Sequence, residues 1–549
     1  MLNPSEIDAL FDLDLPEPSF WEQQYPARQL PAGAEVTRFC PSPTGHAHIG
    51  GIHVAAIDAA IARQSGGVYF VRIEDTDQAR EVEGAVDRFD RAFRHFGVAS
   101  DETDATGLYG PYTQSRRARI YQTYVRELMR QGRAYPCFAT KDELEALRAD
   151  QLAKKVPSGY YGQWAPWRDA VDDTVRERLA AGVPYVVRFR SPGTDAGRTT
   201  FRDLIRGTIE MDDNRADTVI LKASNTEPRL PTYHLAHAVD DHLMGVTIVI
   251  RGDEWLSSVP VHHQLFDALG FPRLPYAHIA PLMKQEGKTR RKLSKRKDPE
   301  ADVEYYAQAG YPTEAVLYYL RGLANGRLAE MPLGEALREP LRLEECGVTG
   351  ALINLAKLED ICADHVAALP GATILERVKE WAKAYDVPLA EALENEEDLA
   401  LRALAVERDG FDNPRKDLRK WADFRTHYAF FFPQLFTPVT DPADPRFVGL
   451  APDVVQELSR RLLDRYQPLE DGDAWFDQIR TVAAELGFAD SARTYKQNPN
   501  LYPGSIKEAS QVIRVLLTGS TRSPALHPVA AALGEAEVRR RLNAVLTIR

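Results

Sequence analysis

A chain of 549 residues with 44% hydrophobic and 27% charged residues is longer than one ordinary core can fill, and its length predicts roughly three or four domains. No window approaches 18 uninterrupted apolar residues, which argues against a membrane-spanning helix. The formal charge of −12 argues against nucleic-acid binding driven by total charge while leaving room for a local basic patch. The N-terminus, MLNPSEIDALFDLDLPEP, is acidic where a signal peptide would be basic and then apolar, so a cytoplasmic protein is the expectation. Cys40, Cys137, Cys346 and Cys362 are scattered without a CxxC pair or a nearby histidine, which predicts neither disulfides nor zinc.

Residues 1 to 34, rich in proline and acidic groups, read as an appended arm. EVTRF is a short strand leading into PSPTGHAHIGG at residues 41 to 51. From His53 to Gln64 small and aliphatic residues predict a helix, closed by Gly66 and Gly67. VYFVRIED reads as a buried strand, and Val86, Phe89, Phe93 and Phe96 recur at helical spacing before Gly97. That strand, helix, strand, helix order predicts a parallel α/β sheet. SRRARIYQTYVRELMRQG opens a mixed stretch, containing VPYVVRFRSPG as strand and turn, that reads as an inserted domain reaching about residue 230. GVTIVIRGDEW is the run that would rejoin the first sheet. After about residue 330 the pattern is mostly helical, with the amphipathic SIKEASQVIRVLLTG near the end.

No GxxxxGK[ST] loop occurs, and the GKT at 287 to 289 lacks the upstream glycine, so a phosphate site would have to be built differently. PSPTGHAHIGG offers one route: glycines that admit close backbone approach, His46 and His48 as donors, and the positive end of the following helix. On spacing alone it is equally compatible with a tight turn bearing exposed histidines. KTRRKLSKRK at residues 288 to 297 carries seven basic residues in ten. Such a run is compatible with a solvated loop or a targeting patch, but lysines three apart can also face one polyphosphate as it departs.

The pair is more specific than either part. PSPTGHAHIGG, followed about 240 residues later by KLSKR, resembles the HIGH and KMSKS signatures of class I aminoacyl-tRNA synthetases. RFCPSPTG, VRIEDTD, GPYTQSRR, PTYHLAHAVDDHLMGVTIVIRGDEWLSS and RKLSKRKDPEADVEYY resemble consecutive blocks of the bacterial glutamyl-tRNA synthetases, and LLTGSTRSPALHPVAAALG resembles their closing helices. The resemblance implies an α/β plus all-α architecture. After an N-terminal extension (1–34) it places a Rossmann-like class I catalytic domain in two halves (35–111 and 231–275) around an inserted α/β acceptor-binding domain (112–230). A stem-contact region with the KLSKR loop (276–360) and a helical anticodon-binding domain (361–549) follow. It also implies glutamate–tRNA ligase activity, with ATP, magnesium, L-glutamate and tRNA(Glu) as cofactors and partners. A monomer is the expectation.

By the family pattern, His48, Lys292 and Lys295 are catalytic. His46, His48, Gly50, Gly51, Trp255, Met283, Lys292 and Lys295 bind ATP, with Trp255 and Met283 at the adenine. Arg38 and Arg251 are candidates for the side-chain carboxylate, since a planar guanidinium binds one in two-pronged fashion. Ser42, Glu74 and Tyr233 match positions that hold the amino acid, with Glu74 suited to its α-ammonium, and His237 stands where some relatives have Asn. Without the resemblance, Trp255 reads as a core aromatic and Arg38 as a strand-end arginine paired with a surface acid. Where some relatives place a Cys-x-Cys zinc pair, this chain has PCFAT, with Cys137 alone, so no metal ligands are assigned. Gly410 of DGFD falls where enzymes strict for the glutamate tRNA carry arginine, which motivates charging of tRNA(Gln) as well.

Four other readings share parts of this pattern, one of them a plain nucleotidyltransferase of small molecules, which would share the HIGH signature but not need the inserted and helical domains. A glutaminyl-tRNA synthetase would end in β-barrels rather than helices, and a shortened tRNA-modifying relative would lack residues 361 to 549. A silent RNA-binding paralogue would have no need of His48, Lys292 and Lys295.

Overall fold

Two short helices open the chain, α1 (Pro4–Asp8) and α2 (Pro18–Gln24). Each begins on a proline, whose missing N–H would have had no helical partner there. β1 (Val36–Phe39), α3 (Ile49–Gln64), β2 (Val68–Val71) and α4 (Ala85–His95) follow. The computed structural model describes every residue except Met1, Leu13, His46, Val448, Ile548 and Arg549. They fall into two compact units, Met1–Tyr305 with Leu317–Ile353, and Tyr306–Val316 with Asn354–Arg549. Among the described residues no helix is long and apolar enough to cross a membrane.

In the first unit β1 and β2 run parallel, Val36 facing Val68 through to Phe39 facing Val71, with α3 as the crossover that parallel pairing requires. α3 begins at Ile49 rather than His53, because His48 caps it. On α4, Phe89 and Phe93 are buried while Val86 turns outward. Next come α5 (Ala118–Arg130), β3 (Ala134–Cys137), α6 (Lys141–Ala153), α7 (Asp172–Ala180), β4 (Val186–Phe189), β5 (Arg198–Asp203), β6 (Gly207–Asp212), β7 (Val219–Leu221), α8 (Tyr233–Leu243), β8 (Val249–Gly252), α9 (Val259–Leu269), β9 (Tyr276–Ile279), β10 (Leu282–Glu286) and β11 (Thr289–Lys292).

β8 pairs parallel with β9, and Thr247 just ahead of β8 exchanges hydrogen bonds with Val36 of β1: the Thr247 N–H donates to Val36 O at 3.0 Å and its Oγ1 accepts from the Val36 N–H at 2.8 Å. GVTIVIRGDEW thus comes alongside β1 through Thr247, and β8 itself lies in a separate sheet of order β6-β5-β9-β8 rather than in that of β1 and β2. β3, β4 and β7 form a separate antiparallel sheet.

Two further expectations about this half need correcting. The β5–β6 hairpin lies within 112–230, yet β5 pairs with β9 of the parallel row, Asp203 facing Tyr276, so that stretch is not one uninterrupted insert. Nor are residues 1 to 34 a mere arm. Ile7, Phe11 and Leu15 are buried in the same cluster as Tyr121 of α5, Val187 of β4, Leu235 of α8 and Phe266 of α9. Polar contacts reinforce the docking: Trp21 Nε1 donates to Thr123 at 3.0 Å, and Arg126 donates to the carbonyls of Leu15 and Pro16.

The second unit is helical from Leu355–Ala367 to Glu535–Ala544 around two apolar centres, one including Leu393, Leu404, Phe424 and Phe432, the other Val455, Trp475, Val512 and Leu516. Besides Tyr306–Val316, its main run begins at Asn354 rather than 361, because the short β12 (Ala351–Leu352) before it pairs with β10 of the first unit. SIKEASQVIRVLLTG forms the helix Ile506–Thr518, opened by a Ser505/Glu508 capping box and closed by Gly519 at φ +68°.

Candidate active site

The turn PSPTGHAHIGG connects β1 to α3 and leaves His48 at the N-cap. His48 Nδ1 accepts the Gly50 N–H at 2.8 Å, which puts the ring proton on Nε2, and the ring also hydrogen-bonds the backbone of Leu293 in KLSKR. Burial, then the charges of Lys295 and Lys292, holds this imidazole below its usual range, so it is neutral at pH 7. Gly50 and Gly51 need their size: a Cβ on Gly50 would lie 3.0 Å from His48 Nδ1, and one on Gly51 3.1 Å from Phe39 Cζ. The Gly50 and Gly51 N–H groups are taken by His48 itself. What the helix start offers an anion is its dipole end and the imidazole, rather than a row of free N–H groups. His46 lies outside the described residues.

KLSKR lies where β11 ends. Leu293 is buried and its N–H donates to Leu282 O at 2.9 Å. Asp298 accepts from the Ser294 N–H and from Arg291, tying down the loop while Lys292 reaches Glu254 Oε2 at 3.3 Å. Lys295 is lowered from the usual lysine range by burial.

These groups share one cavity of about 450 Å³ with Arg38, Ser42, Glu74, Tyr233, Arg251 and Trp255. Most of the residues singled out in the sequence therefore meet in one place. Arg38 is 2% exposed, and its Nε donates to both oxygens of Asp241 at 3.1 Å. Its acid is thus buried, not at the surface. Asp241 also accepts from the buried Arg72 at 2.6 Å. Arg251 donates to neutral groups: Tyr233 OH at 3.2 Å, Trp255 O at 3.2 Å and His278 Nε2 at 3.1 Å. Trp255 packs on Tyr233 with ring centroids 4.3 Å apart. Glu74 Oε1 is buried and accepts no hydrogen bond, its nearest cation being Arg72 Nη2 at 3.5 Å. Burial pushes its carboxyl up to about 7 against the opposing pull of Arg72 and Arg38.

Two expected contacts fall elsewhere. His237 does not line the cavity: its Nε2 lies 3.0 Å from Tyr276 OH and its Nδ1 2.8 Å from Asp241 Oδ2, so it backs the partner of Arg38. Burial brings it down to about 4, despite Asp241. Met283 lies one residue beyond the wall, which Ile279, Ala280, Pro281 and Leu282 supply instead; its side chain lies against Gly350.

Cys40, His53 and Glu254, which the sequence reading did not single out, also line the cavity. Arg72 and Asp241 beneath it were detectable as charges inside apolar runs, VRIED and HAVDDH. Gly410 belongs to the second unit, at φ +77° with open space where a Cβ would stand. Cys137 lies with its thiol 3.5 Å from Tyr160 OH and 3.3 Å from Arg188 Nε.

Comparison with known proteins bears on the same residues. The description "tRNA synthetases class I (E and Q), catalytic domain" matches residues 35–339, and "Anticodon binding domain" matches 505–546. A glutamate–tRNA ligase of Clostridium perfringens is 39% identical over 544 residues, covering 97% of each chain, and one of Acetivibrio thermocellus is 40% identical over 98% of this chain and 99% of its own. The chain belongs to the glutamate–tRNA ligase family. A crystal structure of a glutamate–tRNA ligase from Elizabethkingia meningosepticum in complex with its amino acid superposes with a TM-score of 0.74 at 25% identity, covering 94% of this chain and all of that one. The span matched to the class I catalytic domain of this family contains the whole cavity, and the anticodon match covers the last three helices.

Proposed function

We propose that the cavity of the first unit is where L-glutamate reacts with ATP, and that the chain passes the glutamyl group to the 3′ end of tRNA(Glu). An α-carboxylate oxygen of glutamate attacks the α-phosphorus and pyrophosphate leaves with the bonding electrons. A terminal ribose hydroxyl then attacks the carbonyl carbon, loses its proton and displaces AMP. The nucleophiles come from the substrates, so the chain has to position them and stabilise charge.

The observation that carries this reading is the uneven charge of the cavity. At one end Arg251 is bonded to neutral groups, and Glu74 Oε1 accepts no hydrogen bond, held only by the longer-range ion pair to Arg72 at 3.5 Å, a cation and an acid suited to a side-chain carboxylate and an α-ammonium. Arg38, Ser42 and Tyr233 complete that end, with His237 holding Asp241 behind Arg38. At the other end stand the α3 N-terminus with His48, Gly50 and Gly51, and the ammonium groups of Lys292 and Lys295. A triphosphate there takes the His48 Nε2–H from Leu293 and Lys292 from Glu254, and the two lysines follow the departing pyrophosphate. The adenine lies between Trp255 and the Ile279–Leu282 wall, with His46 and Met283 assigned to this end by the family pattern alone.

Among the described residues no set of three carboxylate, histidine or cysteine side chains gathers as a metal site. A magnesium ion arriving with the nucleotide would find Glu254 as the carboxylate at hand and would neutralise phosphate charge.

At Gly410 the left-handed backbone disfavours an arginine, which favours a ligase that also charges tRNA(Gln). Aminoacylation with radiolabelled glutamate and ATP, on purified tRNA(Glu) and tRNA(Gln) in parallel, tests both levels. Charging of tRNA(Glu) alone retires the Gly410 idea. Charging of neither retires the ligase reading.

A further inference from the structure

His278 on β9 and Asp203 at the end of β5 lie behind the cavity and do not line it. His278 Nε2 accepts from Arg251 Nε at 3.1 Å. An arginine only donates, so the proton of this imidazole is on Nδ1, which donates to Asp203 Oδ2 at 2.6 Å. Asp203 has its remaining capacity filled: Oδ1 accepts the N–H groups of Ile205 and Arg206, both at 2.9 Å, and Oδ2 also accepts the His278 N–H at 3.2 Å. Both side chains are fully buried.

We propose that Asp203 and His278 are positioning residues that aim Arg251 at the substrate carboxylate without spending its charge. The proposal rests on the reading of Arg251 as a glutamate-binding cation. A carboxylate touching Arg251 directly, as Asp241 touches Arg38, would orient the guanidinium but also neutralise it. An imidazole between the two keeps the anion one ring away and supplies only a lone pair. His262 acts in the same sense: its Nδ1 lies 3.3 Å from Arg251 Nη1, and its other nitrogen lies 3.0 Å from His234 Nδ1. The ring face of Tyr276 supports the guanidinium at 4.7 Å. The two fork nitrogens, Nη1 and Nη2, are thereby held toward Tyr233 and Trp255 at the cavity wall.

The chemistry of Asp203 sharpens the test. All four of its contacts are donors, so in Asp203→Asn the new NH2 must face either two backbone N–H groups or His278. The second arrangement forces the proton of His278 onto Nε2, against the Arg251 donor. Steady-state charging of tRNA by the full chain should show Asp203→Asn and His278→Leu raising KM for glutamate roughly tenfold or more, with KM for ATP and kcat within about twofold. His278→Gln, whose amide oxygen can still accept from Arg251, should recover most of the loss. A parallel rise in KM for ATP, or an unchanged KM for glutamate in His278→Leu, would overturn the assignment. If His278→Leu does not fold, His278→Gln decides. With the imidazole gone, adding Asp203→Asn should cost little more, and a further tenfold loss would refute the relay. Calorimetric titration of glutamate and of ATP reads the same contrast without tRNA, so failure of the positioning idea is separable from failure to charge tRNA.

Discussion

Glu74 lends itself to a pH experiment. Its carboxyl is pushed up to about 7 by burial, and an α-ammonium binds only its ionised form. Below that pH the free enzyme must first release a proton, so kcat/KM for glutamate should be level above pH 7 and fall up to about tenfold per unit beneath it. Glu74→Gln should lower kcat/KM at pH 8 and remove that inflection; an inflection left in place would belong to another group. Single residues were legible in the sequence where the chemistry keeps them adjacent, as in His48-Ile49-Gly50-Gly51 and KLSKR. Arg72 with Asp241, and His278 with Asp203, were not, because each pair joins positions 75 or more residues apart. The acid paired with Arg38 was placed at the surface for the same reason: the strand says nothing of what α8 brings beneath it.

The element on which the site turns is the start of α3. His48 Nδ1 serves the Gly50 N–H, and a methyl on Gly50 would press on that nitrogen at 3.0 Å. Gly50→Ala should therefore weaken the cap at a cost of about 1 kcal/mol. Because the displaced ring is also the one facing the phosphate end, KM for ATP should rise more than KM for glutamate, a split that initial-rate kinetics resolves. Helix and strand order around α3 was readable because apolar spacing changes there from strand to helix period. The β5–β6 hairpin was misassigned because its partner β9 lies more than 70 residues further along, and no local pattern announces a long-range pairing.

At the scale of the molecule, the division into an α/β unit and a helical unit was legible from composition and periodicity, while its border was shifted by the two-residue strand β12. The first 34 residues were misread because acidic and proline-rich composition masks the Ile7, Phe11 and Leu15 spacing. Phe11→Ala should cost about 3 kcal/mol, since the vacated space lies in a packed cluster, and an earlier urea midpoint for the first unit would show it. The cluster that these three side chains join extends as far along the chain as Phe266 and Phe271. In vectorial synthesis the leading segment meets its α5 partners after about 110 further residues, but the cluster is complete only after some 250, on the order of tens of seconds at ribosomal speeds. Over that interval Ile7, Phe11 and Leu15 lack part of the cluster that buries them, and the charges around them, Glu6, Asp8, Asp12 and Asp14, are all acidic.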